Sequence, residues 1–310
     1  MISSDQIAAL AIFSISSIGV LANWTVAILI RRLPSLKNSF GMLTTSQSIG
    51  DAVISTIFAF LIAPMCFFNL EYLKTYSSVI GHVLIIAYEI STYSHLCISL
   101  NRFCAIVAPI KYENIFSIPN TNKLIAFFWA SATLPSFYLY VYNDCKFYFA
   151  DIFWVFTFSD NPVCNTIAWY AGFLKYNSIV ISIVIIDVIT VSKVRSYKAK
   201  VFGISTHSAS KSSYEMNFLK QACLQAFVFV CELVTYFLIT PKMDPSERWA
   251  CFVLSTVAWI SVHTLDGIIT LSFNKEFTNT IFGNAKPTDL STAAEPAEIP
   301  SNVGSTSLRL

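Results

Sequence analysis

The side chains able to do chemistry in this chain are polar groups set inside long apolar runs. Arg102 lies within SHLCISLNRFCAIVAPIKY (94–112), flanked by Asn101 and Phe103. It stands about two turns before a helix must stop at Pro109. Asn23, Asp51, Glu89, Asp187, Glu232 and Asp266 are placed similarly, among apolar neighbours. An ionisable group at the centre of a membrane helix costs roughly 2.5–3.5 kcal/mol on insertion scales, so it is retained for a partner, a cation or a proton. The chemistry open to such a set is hydrogen bonding across helices, ion pairing, and proton or cation binding. His82, His95, His207 and His263 fall at no metal-ligand spacing and read as ordinary polar groups. With no nucleotide-binding loop and no soluble catalytic domain, the chain reads as non-enzymatic, without metal or cofactor.

Each group has a plain reading beside a functional one. Asn23 and Asp51 either hold helices together, each bond worth about 1 kcal/mol or less, or join Asp266 in a polar cluster that rearranges when helices move. Arg102 either snorkels to the inner interface or offers a contact there. Glu89 and Glu232 lie nearer mid-membrane with no cation beside them in sequence. They are either protonated and hydrogen-bonded or face a wet cavity that takes a ligand. Asp187 has Lys193 close by and is assigned to it.

The elements that position these groups are membrane helices. The chain has 310 residues, 55% hydrophobic and only 12% charged; soluble domains carry about 25% charged residues. Seven apolar segments, near 7–30, 40–68, 77–107, 124–142, 166–191, 218–239 and 249–273, are long enough to span a core of about 30 Å. Of the 20 lysines and arginines, only Lys74, Lys146, Lys175, Lys242 and Arg248 fall on one side of this zigzag. The other fifteen flank the second face, which the positive-inside rule makes cytoplasmic, leaving the N-terminus outside. The first segment has no basic region before it and reads as a signal anchor rather than a cleaved peptide. The expected architecture is therefore an all-α membrane protein: an outer N-terminus over 1–6, seven helices over 7–284, and a disordered cytoplasmic tail over 285–310. A short amphipathic piece, NKEFTNTIF with Phe277, follows the seventh span. The tail is polar and rich in hydroxyl residues. No inverted repeat suggests a transporter, no glycine-rich filter a channel, and no basic stripe nucleic acid.

Six cysteines, Cys66, Cys97, Cys104, Cys223, Cys231 and Cys251, sit in or beside helices and read as small apolar packers. Cys145 and Cys164 both lie in the outer loop 143–165, in an oxidising compartment where a disulfide persists. A bridge is expected there; two free thiols are the alternative.

Taken together, Asn23, Asp51, the N-R-F triplet at 101–103 and Trp129 resemble rhodopsin-like G protein-coupled receptors. More narrowly, RRLPSLKNSFGMLTTSQSIGDAV, Pro64-Met65, SLNRFCAIVAPIKY, the Cys145…Cys164 loop and LDGIITLSFN resemble the nematode serpentine chemoreceptors of class Srx, over about 19–282. The resemblance implies a plasma-membrane receptor, in a sensory-neuron cilium, that binds an extracellular small molecule and activates a heterotrimeric G protein. It implies Asn101, Arg102 and Phe103 at the coupling surface, aided by the basic loop 193–211, with arrestin-type binding at the tail and lipid as the remaining partner.

Several departures from the superfamily stand out. Asn101 replaces the acid expected before the arginine, so no carboxylate lock is expected beside Arg102, and Asn101→Asp is expected to lower basal signalling. Asp266-Gly267-Ile268-Ile269-Thr270 lacks the usual proline and tyrosine, 218–239 contains no proline, and 75–81 contains no cysteine. Asn161 precedes a proline and the Asn23-Trp24-Thr25 sequence lies inside the first apolar segment, so no usable glycosylation sequon is expected. The rival readings are a transporter or ligand-gated channel running a proton or cation along Asp51, Glu89, Glu232 and Asp266, and a receptor-like partner that does not signal.

Overall fold

The computed structural model describes residues 2–201, 221, 223–244, 246–274, 277 and 280, leaving aside the side chains of 197–201. Among these residues, seven helices are long and apolar enough to cross a bilayer: α1 (Ser4–Arg32), α2 (Ser39–Phe67), α3 (Ser77–Val107), α4 (Ile118–Tyr142), α5 (Pro162–Ser196), α6 (Cys223–Lys242) and α7 (Arg248–Phe273). They match the seven expected spans. α1, α2 and α5 begin earlier than hydropathy alone suggests because their caps are polar. Ser3 and Gln6 cap α1 reciprocally. Asn38 accepts the Gly41 amide at the start of α2, and Asn161 accepts the Cys164 amide ahead of α5. Each satisfies an N–H that the helix itself leaves unpaired. Pro34 and Pro109 end α1 and α3 by pushing Leu33 and Ala108 out of helical geometry. The side chains of Lys198 and Lys200, then Lys211, Lys220, Lys275, Lys286, Arg309, the tail from 285 and most of the segment after α7 lie outside the described residues. Phe277 of that segment is described, buried against Val26, Ile30 and Leu36.

The bundle is built round α3. Of its most apolar window 72% is buried, against 17% for α4, so α3 is the axis and α4 a lipid-facing stave. α3 packs on α2, α4 and α5, while α1 packs on α2 and α7. Phe127, Leu134, Ile181, Ile185 and Val188 face outward, where hydrocarbon rather than water must meet them. Among the described residues, π turns occur at Phe58–Ile62, Phe137–Tyr142, Ala168–Leu174, Thr235–Ile239 and Val253–Val257. All five lie in the outer halves of their helices. Such turns break regular packing and recur at functional sites. In α6 the π turn supplies an irregularity without a proline inside 218–239.

The loop 143–165 contains strands that the sequence did not announce. β1 (Phe147–Ala150) pairs antiparallel with β2 (Val155–Phe158), Phe147 opposite Phe158. Alternation along the strands buries Phe147, Phe149 and Phe156 and leaves Tyr148 outside. Gly81 lets β1 lie directly on α3, since a Cβ there would collide with the Phe147 carbonyl. Cys145 is bonded to Cys164, with Cα atoms 5.0 Å apart, as expected. On the chain-entropy account such a loop closure contributes about 3 kcal/mol.

Polar contacts pin the hairpin from three sides. Trp154 is fully buried, its indole N–H donating to Asp5 at 2.9 Å, and its carbonyl accepts the Thr256 hydroxyl at 2.7 Å. The Arg248 guanidinium lies 3.6 Å from the Trp154 ring centre and also donates to Asp5 at 3.0 Å. Lys74 reaches Asp151 at 2.6 Å. The hairpin is a lid on the outer end of the bundle.

Candidate functional site: a polar axis through the bundle

Two helices carry the axis. On α3, Tyr88, Ser91, His95, Ser99 and Arg102 follow at steps of three or four residues and so share one face. On α7, Trp259, His263, Asp266 and Thr270 repeat the pattern. α1 adds Asn23, α2 adds Gln47 and Asp51, α5 adds Asp187, and α6 adds Gln225 and Glu232.

At the centre, two carboxylates each meet an imidazole. His263 Nδ1 lies 2.8 Å from Asp51 Oδ1, which also accepts the Ser91 hydroxyl at 2.6 Å. His95 Nε2 lies 2.7 Å from Asp266 Oδ2, approached by the Gln47 amide at 3.5 Å. Breaking a buried charge pair by removing one partner costs about 3–5 kcal/mol, because it strands the other. Here each carboxylate has an imidazole nitrogen at hydrogen-bond distance. Asn23 joins from α1, donating to the carbonyls of Gly19 (3.0 Å) and His263 (2.8 Å). The structure thus brings Asn23, Asp51 and Asp266 into one cluster. It also corrects the reading of the histidines, since His95 and His263 are the partners of the two buried acids. Asp51, His95 and Asp266 present ligand atoms within 4.8 Å of one another, a donor set open to a cation as well as to a proton.

The inner end holds a second correction. Arg102 does not snorkel; its side chain is 12% exposed and its Nη2 lies 3.9 Å from Asp187 Oδ1. The Ser99 hydroxyl donates to that same oxygen at 2.5 Å. Asp187 is therefore tied to α3 rather than assigned to Lys193, and a carboxylate does stand beside Arg102, supplied by α5. Asn101 turns elsewhere, donating to Ser39 Oγ (3.1 Å) and the Tyr112 hydroxyl (3.3 Å). It fastens α3 to α2 and to the short helix Pro109–Ile115. Phe103 is half-buried beside it. Trp129 bridges α4 to α2 through the Ser46 hydroxyl at 2.9 Å.

The outer end separates the two glutamates. Glu89 has a cation after all: Lys175 Nζ on α5 lies 2.5 Å away, and the Tyr176 and Tyr93 hydroxyls donate at 3.3 and 3.4 Å. Glu232 accepts the Tyr88 hydroxyl at 3.2 Å and lines a cavity of ≈ 50 Å³ beneath the hairpin. Aromatic rings supply most of the wall, among them Tyr140, Phe147, Tyr176, Tyr236 and Trp259. Glu89 is not among the residues that line it.

The comparisons with known proteins bear on the family and the fold. The family described as serpentine type 7TM GPCR chemoreceptor Srx matches residues 13–274. The chain belongs to the Srx family. Among its Srx relatives in Caenorhabditis elegans, serpentine receptor class X 45 is 37% identical over 294 residues, covering 88% of this chain and 80% of the relative. Serpentine receptor class X-43 is 28% identical over 263 residues, covering 82% and 79%. The crystal structure of squid rhodopsin superposes with a TM-score of 0.72 at 16% identity, covering 91% of this chain and 86% of that one. At that identity the likeness is one of fold, the seven-helix bundle. This Srx protein is accordingly a receptor of the G protein-coupled type and a multi-pass membrane protein, and its family and fold are those of receptors rather than enzymes.

The partners that sequence reasoning missed are Gln47, Ser91, His95, Lys175, Gln225 and His263. The stripe of polar residues at helical spacing along α3 and α7 was the available signal. It marks a polar face but says nothing about which residue meets which.

Proposed function

We propose that this receptor binds an extracellular small molecule beneath the hairpin and passes the event to a heterotrimeric G protein at its inner face. The observation that carries the reading is the line of buried polar groups along the bundle. It runs from Glu232 and Tyr88 under the lid, through the paired acids and histidines, to Arg102 and Asp187 at the inner end. Ligand binding would favour a conformer in which the inner end of α6 moves outward, Arg102 leaves Asp187, and a groove opens for the G protein with Asn101, Arg102 and Phe103 at its edge. A ligand shifts such an equilibrium only by its differential affinity for the two states. Moving it from 1:99 to 99:1 takes about a 10⁴-fold preference. Residence in the plasma membrane, in a sensory-neuron cilium, and arrestin-type binding by the tail belong to the same proposal and follow the family.

The test is nucleotide exchange on a promiscuous G protein in membranes from cells expressing the receptor, screened against pooled odorants and metabolites, with Arg102→Ala alongside. Ligand-driven exchange that vanishes in Arg102→Ala at equal surface expression supports the proposal. Exchange that persists in the variant removes Arg102 from coupling. Solute flux in liposomes without any G protein would replace this reading with transport along the buried acids.

A further inference from the structure

Glu232 is 5% exposed, faces the cavity beneath the hairpin, and makes no ion pair among the described residues. The contrast with the rest of the axis is sharp. Glu89 is matched by Lys175 and Asp187 by Arg102, while Asp51 and Asp266 each meet an imidazole. The nearby imidazole of His263 is committed through its Nδ1 to Asp51. Among the described residues the Glu232 carboxylate accepts a hydrogen bond from Tyr88, which leaves room for a further donor from the cavity.

The wall around this carboxylate suits a cation. Tyr88 meets Tyr176 edge-to-face at 4.7 Å between ring centres and Trp259 at 6.0 Å. With Tyr140 and Tyr236 these rings form an aromatic cup, and ring faces attract ammonium groups within about 6 Å. Size narrows the choice. The free volume of ≈ 50 Å³ is about one third of the ≈ 150 Å³ cavity known to admit benzene. That volume favours an aliphatic ammonium of about five heavy atoms or fewer over an aromatic ligand, with small side-chain adjustment. Resting on the receptor reading above, we propose that the ligand of this site is a small aliphatic amine, its ammonium on Glu232 and its alkyl part against the tyrosine and tryptophan rings. Such a ligand would act on α6 directly, because Glu232 bridges α3 and α6 through Tyr88 and the neighbouring Tyr236 hydroxyl donates to the hairpin carbonyl of Phe156 at 3.2 Å.

The experiment uses purified full-length receptor in lipid nanodiscs, with no G protein present, titrated with isobutylammonium, isobutanol and isobutyrate. Binding is read from the thermal unfolding midpoint and from tryptophan emission. The ammonium compound raises the midpoint, and its neutral and anionic counterparts at equal concentration do not. Glu232→Gln weakens binding by about tenfold or more, as loss of a charge-assisted hydrogen bond requires. Gly172→Leu abolishes binding by filling the cavity from α5, where a Cβ meets only the Phe237 ring at 3.6 Å. Glu113→Gln, on the inner surface, changes nothing. Equal binding of isobutanol, ammonium binding that survives Glu232→Gln, or no ammonium binding at all overturns the proposal. Amine binding without nucleotide exchange would sink the coupling reading alone. Exchange driven by another compound, with no amine binding, would sink this one alone.

Discussion

Arg102 shows how a single substitution in a motif is offset elsewhere. Asn101 stands where the wider superfamily places an acid, and its amide is spent on Ser39 and Tyr112. The acid beside the arginine comes instead from Asp187, held in place by the Ser99 hydroxyl. The sequence-based expectation that Asn101→Asp quiets the receptor loses its basis, because a carboxylate at 101 would point at Ser39 and Tyr112. The informative change is Asp187→Asn. If the pair favours the resting conformer by about 1 kcal/mol, its loss raises basal nucleotide exchange about fivefold, while Asn101→Asp gives Arg102 no new partner. An unchanged baseline in Asp187→Asn would show that the contact does not hold the resting state.

Helix contacts in this bundle depend on small residues as much as on polar ones. Gly267 on α7 sits against α1, where a Cβ would stand 2.6 Å from Asn23 Oδ1 and 2.9 Å from the Ala22 Cβ. Close backbone approach at such positions is what lets membrane helices gain packing energy that lipid does not already provide. Gly267→Ala therefore forces α1 and α7 apart or displaces Asn23 from the His263 carbonyl. Overpacking of this kind costs about 1–3 kcal/mol, and a lowered thermal midpoint in detergent would report it. A midpoint equal to wild type would mean that the α1–α7 contact is looser than described. The hairpin follows a similar logic. Gly81, the Cys145–Cys164 bond and Arg248 over Trp154 together hold β1 and β2 on the bundle, so the cavity is roofed by an element no hydropathy profile displays.

For the molecule as a whole, orientation follows from two independent observations that agree. Basic residues crowd the inner connections, and the disulfide-bonded hairpin lies on the opposite face. An epitope tag at the N-terminus is expected to be labelled on intact cells. A tag inserted within 202–211 should label only after permeabilisation. The opposite pattern would invert the topology and move Arg102 away from any G protein. The seven spans, the outer N-terminus, the Cys145–Cys164 bridge and the family were all legible in the chain itself, because hydropathy, loop charge and motif identity are sums over neighbouring residues. Tertiary structure decided which buried charges meet: Lys175 with Glu89, His95 with Asp266, His263 with Asp51, Asp187 with Arg102. Those partners lie on different helices, tens to hundreds of residues apart, and each pairing depends on how one helix is rotated and slid against the next. Packing over a whole interface sets that rotation, and no stretch of local sequence contains it.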